Sequence, residues 1–193
     1  MDCILMKEYF NALPENIALK LRDKFLTSNF DRVYQERDSQ FSRQLNEKFK
    51  TLPNNDEVYT SFFCNSSNYL LSSEEIKDAV HNRIKPLVEQ YAGRSLEVTV
   101  YKCYKMIKGG HFRLHIDEFL GDYSFILYLS KDWKWDWGGL LLTVQDEHNA
   151  KVTIPTFNKL VVMANTDNQG IHSVTPVTEY AKEPRLMLVG FLS

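Results

Sequence analysis

Residues 109–133 read "GGHFRLHIDEFLGDYSFILYLSKDW". A glycine pair opens the stretch, a short segment ending in His115-Ile116-Asp117 follows, and after "EFLGD" comes "YSFILYLS", an apolar run of strand length that contains Tyr128. In a strand, residues two apart project to the same face, so His115 and Asp117 would present an imidazole and a carboxylate to one space. Outward from here the β signal persists. "LEVTVYKCYKMI" precedes it, and "GLLLTV", "AKVTIP", "NKLVVMAN", "GIHSVTPV" and "RLMLVGFLS" follow, separated by the turn-rich "DWGG", "DEHNA" and "NTDNQG". Short strands at regular intervals predict a sandwich, barrel or jelly roll in preference to a helix-alternating parallel sheet.

The first half of the chain has a different period. "PENIALKLRDKFLTS" spaces Ile17, Leu21 and Phe25 four apart, and "SSEEIKDAVHNRIKPLVEQYAG" places Ile76, Val80, Ile84, Leu87, Val88 and Tyr91 on one stripe; both predict amphipathic helices. Ser72 or Ser73 starts the second, Gly93 ends it, and Pro86 is expected to kink it. Between the helices, "NFDRVYQERDSQFSRQLNEKFKTLPNNDE" is polar and reads as a loop or wall that closes over a site, with "VYTSFFC" strand-like after it. The fold class expected is mainly β with N-terminal helices (α+β). It is one domain over 1–193, with 1–94 as helical support and substrate wall and 95–193 as the core that carries the chemistry.

Composition excludes several classes. With 193 residues, 44% hydrophobic and 25% charged, the chain has enough material for a real core. A net charge of -2 offers no basic field for nucleic acid or an anionic membrane, and no apolar run approaches the roughly 20 residues of a membrane span. The N-terminus lacks a signal-peptide pattern, so the expected location is cytoplasmic. Cys3, Cys64 and Cys103 are far apart and form no CxxC, which suggests buried or idle thiols. Nothing indicates an oligomeric state.

The chemistry converges on four residues. His172, in "GIHSVTPV", supplies a second imidazole if the fold brings it beside His115 and Asp117. Two histidines and one carboxylate suit non-haem Fe(II) with open coordination positions, and zinc accepts the same set. Arg185 opens the apolar "RLMLVGFLS". A guanidinium buried there without a partner would cost about 3–5 kcal/mol, and a dicarboxylate bound bidentately would supply that partner. His111 suits a rim or loop, His81 an exposed helix face and His148 an exposed turn. Trp133, Trp135 and Trp137 would share one face if "KDWKWDWGG" is strand, covering a sheet edge or lining an entrance.

Taken together, Tyr104, Gly109 and Gly110, Phe112, His115, Asp117, "LYLSKDW", Gly138 and Gly139, Pro155, His172, Val174, Pro176 and Val177, and Arg185 form a joint pattern. In it, residues from about Leu96 to Ser193 resemble the Fe(II)/2-oxoglutarate-dependent dioxygenases, and within them the prolyl 4-hydroxylase branch. The resemblance implies a double-stranded β-helix, a cupin-like jelly roll, with iron on His115, Asp117 and His172. Arg185 would take the distal carboxylate of 2-oxoglutarate with Tyr128 and Tyr104 around it, and Lys182, in the "EYAKE" before Arg185, is a lesser candidate. The implied cofactors are Fe(II), 2-oxoglutarate and O2, with ascorbate as a stimulant. The implied reaction is hydroxylation of an unactivated C–H coupled to decarboxylation of 2-oxoglutarate to succinate and CO2. The substrate would be a peptidyl residue, prolyl first, or a free amino acid or small metabolite, with no nucleic acid or membrane partner. Asp117 disfavours halogenation, and the absence of a second arginine after Arg185 disfavours nucleic-acid demethylation. The alternatives are a non-catalytic cupin-like module that binds metal or dicarboxylate, and a zinc hydrolase.

Overall fold

Helix α1 (Glu15–Thr27) begins behind Pro14, whose φ of -51° suits a helix start, and carries Glu15 in its first turn and Lys24 in its last, complementing the helix dipole. The structure, a computed structural model, describes residues 6–37, 60–117, 119–146, 148–165 and 170–193, with the side chains of 34–37 and 60–63 left aside. The buried stripe of α1 is Ala18, Leu21 and Phe25; Ile17, expected in it, is only half-buried and packs at its edge.

The second expected helix is built in pieces. After the single turn α2 (Asn68–Leu71), α3 (Glu74–Asp78) runs into a π-helical segment (Ala79–Ile84) and then α4 (Lys85–Ala92). Pro86 sits in the first turn of α4, where its missing N–H costs nothing, and the extra residue is absorbed upstream: Lys85 N–H reaches Val80 O, five residues back. The expected kink is thus a π-bulge, and it keeps Ala79, Val80, Ile84 and Val88 on one buried stripe. Gly93 ends α4 at φ 70°, its N–H on Glu89 O at 2.8 Å.

The strands are β1 (Met6–Tyr9), β2 (Asp31–Arg37), β3 (Thr60–Ser66), β4 (Val98–Met106), β5 (His111–His115), β6 (Tyr123–Tyr128), β7 (Leu141–Val144), β8 (Ala150–Thr153), β9 (Leu160–Ala164), β10 (His172–Val174) and β11 (Arg185–Leu192). All pair antiparallel in the order β1-β9-β6-β11-β4-β3-β5-β10-β7-β8, with β2 on β3. This is the jelly roll with N-terminal helices that the sequence predicts. It differs in using strands from the first third of the chain: β1 carries no clear sequence signal, and "DRVYQER", expected as loop or wall, is β2. Most of the proposed wall, residues 38–57, lies outside the described residues, as do the first two residues of "VYTSFFC" and Cys3.

Alternation divides the core in two. On β11, Leu186, Leu188 and Leu192 face outward onto Leu21, Phe25, Ile84 and Val88 of the helices. Met187 faces inward, where it joins Tyr104, Met106, Tyr128, Val161, Met163, Leu141 and Val174 in a second cluster contributed by both halves of the strand path. The helices cover one face, and the inner cluster surrounds the site. Among the described residues no helix is long and apolar enough to cross a membrane. Cys64 and Cys103 are buried, and burial pushes both thiols up to about 12.

The tryptophan run is not a strand. Asp132 and Gly138, at φ 50° and 66°, break the extended backbone on either side, and Trp135–Trp137 form a 3-10 turn. Trp133 is buried edge-on against Trp137 at 5.3 Å and donates Nε1–H to Gly138 O at 2.9 Å, whereas Trp135 is exposed. The three indoles therefore share no face.

Candidate active site

The end of β5 and the start of β10 place His115 directly opposite His172, ring centroids 4.2 Å apart. β5 ends at His115, so Asp117 belongs to the loop beyond it, not to the strand; its carbonyl accepts from Leu120 N at 2.9 Å in a turn. Its Oδ2 lies 3.7 Å from His115 Nε2 and 3.6 Å from His172 Nε2. One donor atom from each of the three falls within 4.8 Å of the others, the one such cluster among the described residues.

The tautomers are set from behind. His115 Nδ1–H donates to Arg113 O and His172 Nδ1–H to Gly170 O, both at 2.6 Å, which leaves each Nε2 lone pair facing Asp117. Burial, followed by the neighbouring His115, pushes His172 down to about 4, so its imidazole is neutral at physiological pH. Two imidazole nitrogens and a carboxylate oxygen that converge in this way suit a cation. Ligand bonds of about 2.1 Å would draw such a set only slightly closer together, so the residues present fit a bound metal ion.

A register shift within the β5–β10 pair sets the wall beside this cluster. His172 opposes His115, but Val174 opposes Phe112, so the two β5 residues, three apart, both face inward. Phe112 then packs 5.8 Å from the His115 ring and 5.6 Å from the Tyr104 ring.

Across the inner cluster, Arg185 is fully buried. Its Nη1 donates only to sulfur, Met106 Sδ at 3.4 Å and Met187 Sδ, and its Nε and Nη2 have no hydrogen-bond acceptor. The guanidinium lies 5.0 Å from the Tyr128 ring centroid, and the Tyr128 hydroxyl is likewise buried without a partner. Burial holds Arg185 below the usual guanidinium range and raises Tyr128 to about 12, against the opposing pull of Arg185, so the phenol keeps its proton and can donate. Two guanidinium nitrogens and a phenol, all buried, form a donor set that a carboxylate satisfies.

Pairing aligns the surroundings of this set. Met187 opposes Tyr104 on one side and Tyr128 on the other, so the three share a row beside Arg185. Room for the arginine stem comes from the glycine turn. Gly139 sits at φ 62°, and a Cβ there would come within 2.8 Å of Arg185 Cδ and 3.2 Å of Trp133. Lys182 is exposed on the preceding loop, and His111, His81 and His148 lie outside the cluster. Met106 and Met187 are the neighbours that sequence reasoning missed; counting by twos from Tyr104 and Arg185 would have found them.

Residues 98–193 match the 2OG-Fe(II) oxygenase superfamily. The chain belongs to this superfamily. It is a 2-oxoglutarate-dependent oxygenase, using Fe(II), 2-oxoglutarate and O2, and the His-Asp-His cluster fits iron. Membership favours the oxygenase over the zinc-hydrolase and non-turnover alternatives. No curated relative matches the chain. The fold of this oxygenase is similar to that of a Pseudomonas putida prolyl-4-hydroxylase, at 18% identity over 97% of this chain and 91% of the other with a TM-score of 0.61. A Trichoplax adhaerens prolyl hydroxylase, in complex with a peptide fragment of a hypoxia inducible factor, aligns at 17% identity over 97% and 83% with a TM-score of 0.57. The epimerase SnoN of nogalamycin biosynthesis aligns at 13% identity over 98% and 77% with a TM-score of 0.63.

Proposed function

We propose that this oxygenase hydroxylates an unactivated C–H of a peptidyl residue, prolyl first, and decarboxylates 2-oxoglutarate to succinate and CO2. The observation that carries the reading is the pairing of two unfinished sites beside one inner cluster: three converging metal acceptors at His115, Asp117 and His172, and the donors of Arg185 and Tyr128 that lack a hydrogen-bond acceptor. In this reading the three acceptors hold the iron, which supplies the oxidising chemistry. Arg185 and the Tyr128 hydroxyl bind the distal carboxylate of 2-oxoglutarate, and Tyr104 flanks it. Phe112, Tyr104 and the inner methionines exclude water around the bound cosubstrate, which strengthens every polar contact made there. The location within the cell and the class of partner belong to the same proposal: a peptide substrate met in the cytoplasm. The likeness in fold to two prolyl hydroxylases supports a peptide, and the likeness to SnoN supports a small-molecule substrate as the second reading.

The test is anaerobic addition of Fe(II) and 2-oxoglutarate to the purified protein, followed by O2. A weak visible charge-transfer band and then succinate are expected, with succinate rising further on addition of a proline-containing peptide. Stimulation by free amino acids alone would move the substrate to the second reading. Neither band nor succinate, with metal bound, would overturn the proposal.

A further inference from the structure

The strand path is open. It begins at β1 and ends at β8, each with one hydrogen-bonded neighbour among the described strands, and edges of this kind need some other means of closure. Here the two edges meet through side chains. Glu8 of β1 accepts a hydrogen bond from Thr153 Oγ1 of β8 at 2.9 Å, and its second oxygen lies 3.5 Å from Lys151 Nζ on the same strand. Thr153 is 2% exposed. Lys159, entering β9 with its side chain 4% exposed, approaches Glu8 at 3.6 Å and braces it from its own half of the path. Two residues earlier on β1, Met6 Sδ takes the Thr143 hydroxyl of β7 at 3.6 Å.

The position of this seam gives it a consequence. His115 and His172 lie on β5 and β10, in the half of the path that ends at β8. Arg185, Tyr128 and Tyr104 lie on β11, β6 and β4, in the half that begins at β1. On one side the halves are joined by backbone, since β3 pairs with both β4 and β5. On the other side they are joined by side chains, Glu8 with its partners and Met6 with Thr143. A dicarboxylate that reaches from the metal cluster to Arg185 must fit a gap fixed by both joints.

We propose that Glu8 is a clasp that sets the spacing between the two halves of the cosubstrate site, and so the length of the 2-oxo dicarboxylate the enzyme prefers. It is a positioning residue, and the inference rests on the assignment of Arg185 and the His-Asp-His cluster made above. With the clasp closed, the five-carbon 2-oxoglutarate is favoured over the six-carbon 2-oxoadipate. With it open, the β8 half can move away, the shorter acid loses simultaneous contact at both ends, and the longer one is tolerated.

The variants are Glu8→Ala, which removes the whole clasp, and Thr153→Val, which removes its cross-seam hydrogen bond with little change of shape. Calorimetric titration of the Fe(II) protein under anaerobic conditions with each diacid is expected to show 2-oxoglutarate binding weakened roughly 5- to 10-fold, with the preference over 2-oxoadipate narrowed by a similar factor. The double variant should be no worse than Glu8→Ala, because both act through one joint, and Thr153→Ser should restore the preference. In the metal-free protein, backbone hydrogen exchange in β8 should quicken in both single variants. A preference ratio that stays at the wild-type value would overturn the proposal, whether the two affinities hold or fall in parallel. If the wild-type protein itself fails to bind 2-oxoglutarate, the functional assignment fails, and exchange in β8 still decides whether the clasp exists.

Discussion

Arg185 carries a charge into the interior of the fold. A fully buried guanidinium whose contacts are thioether sulfurs and a tyrosine ring destabilises the free protein, because weak sulfur acceptors do not replace lost hydration. Such a group persists where a ligand completes it. Arg185→Met is therefore expected to do opposite things to binding and to stability. The 2-oxoglutarate requirement should rise by about 100-fold or more as the charge-assisted pair is lost, while stability against urea should stay level or rise by about 1–3 kcal/mol. Undiminished 2-oxoglutarate binding in this variant would transfer the carboxylate role to another cation, Lys159, buried beside Glu8, before the exposed Lys182. Sequence reasoning reached Arg185 because a charge in an apolar strand is conspicuous. It missed Met106 and Met187 because methionine in a strand looks like ordinary core.

At the scale of elements, the interruptions are what place the site. The shift between β5 and β10 turns Phe112 and His115 to one side, and the π segment before Pro86 keeps the helical stripe continuous across a residue that cannot donate. Strict period-two or period-3.6 counting reaches neither, since each is an extra residue accommodated by a neighbouring element. Helix termination is the contrasting case, legible from one residue. Gly93 holds φ 70° with open space where a Cβ would sit, so Gly93→Ala carries only the cost of left-handed backbone. A loss of about 1 kcal/mol in urea denaturation, with activity unchanged, is expected. An unaltered midpoint would mean that α4 can end without the left-handed residue.

For the molecule as a whole, the two hydrophobic clusters do not include the metal ligands, so the fold should stand without metal. Ligands that bridge the two halves should then add stability by mass action. At about 100 times Kd, Fe(II) with 2-oxoglutarate under anaerobic conditions is expected to contribute about 2.7 kcal/mol and to raise Tm by about 5–10 °C, with 2-oxoglutarate alone giving less. A metal-free chain that is already unfolded, or ligands that leave Tm unmoved, would contradict this division of roles. By itself the sequence determined the β-rich class, most of the strands and both main helices, and it singled out His115, Asp117, His172 and Arg185 as candidates, because hydrophobic period, turn chemistry and misplaced charge are local properties. Only the tertiary structure decided that His172 stands opposite His115, that β1 and β2 are strands, that the three tryptophans share no face, and that Glu8 meets Thr153 across the seam. Those facts depend on which distant segments pair and in what register, and a strand's own composition carries no record of its partner.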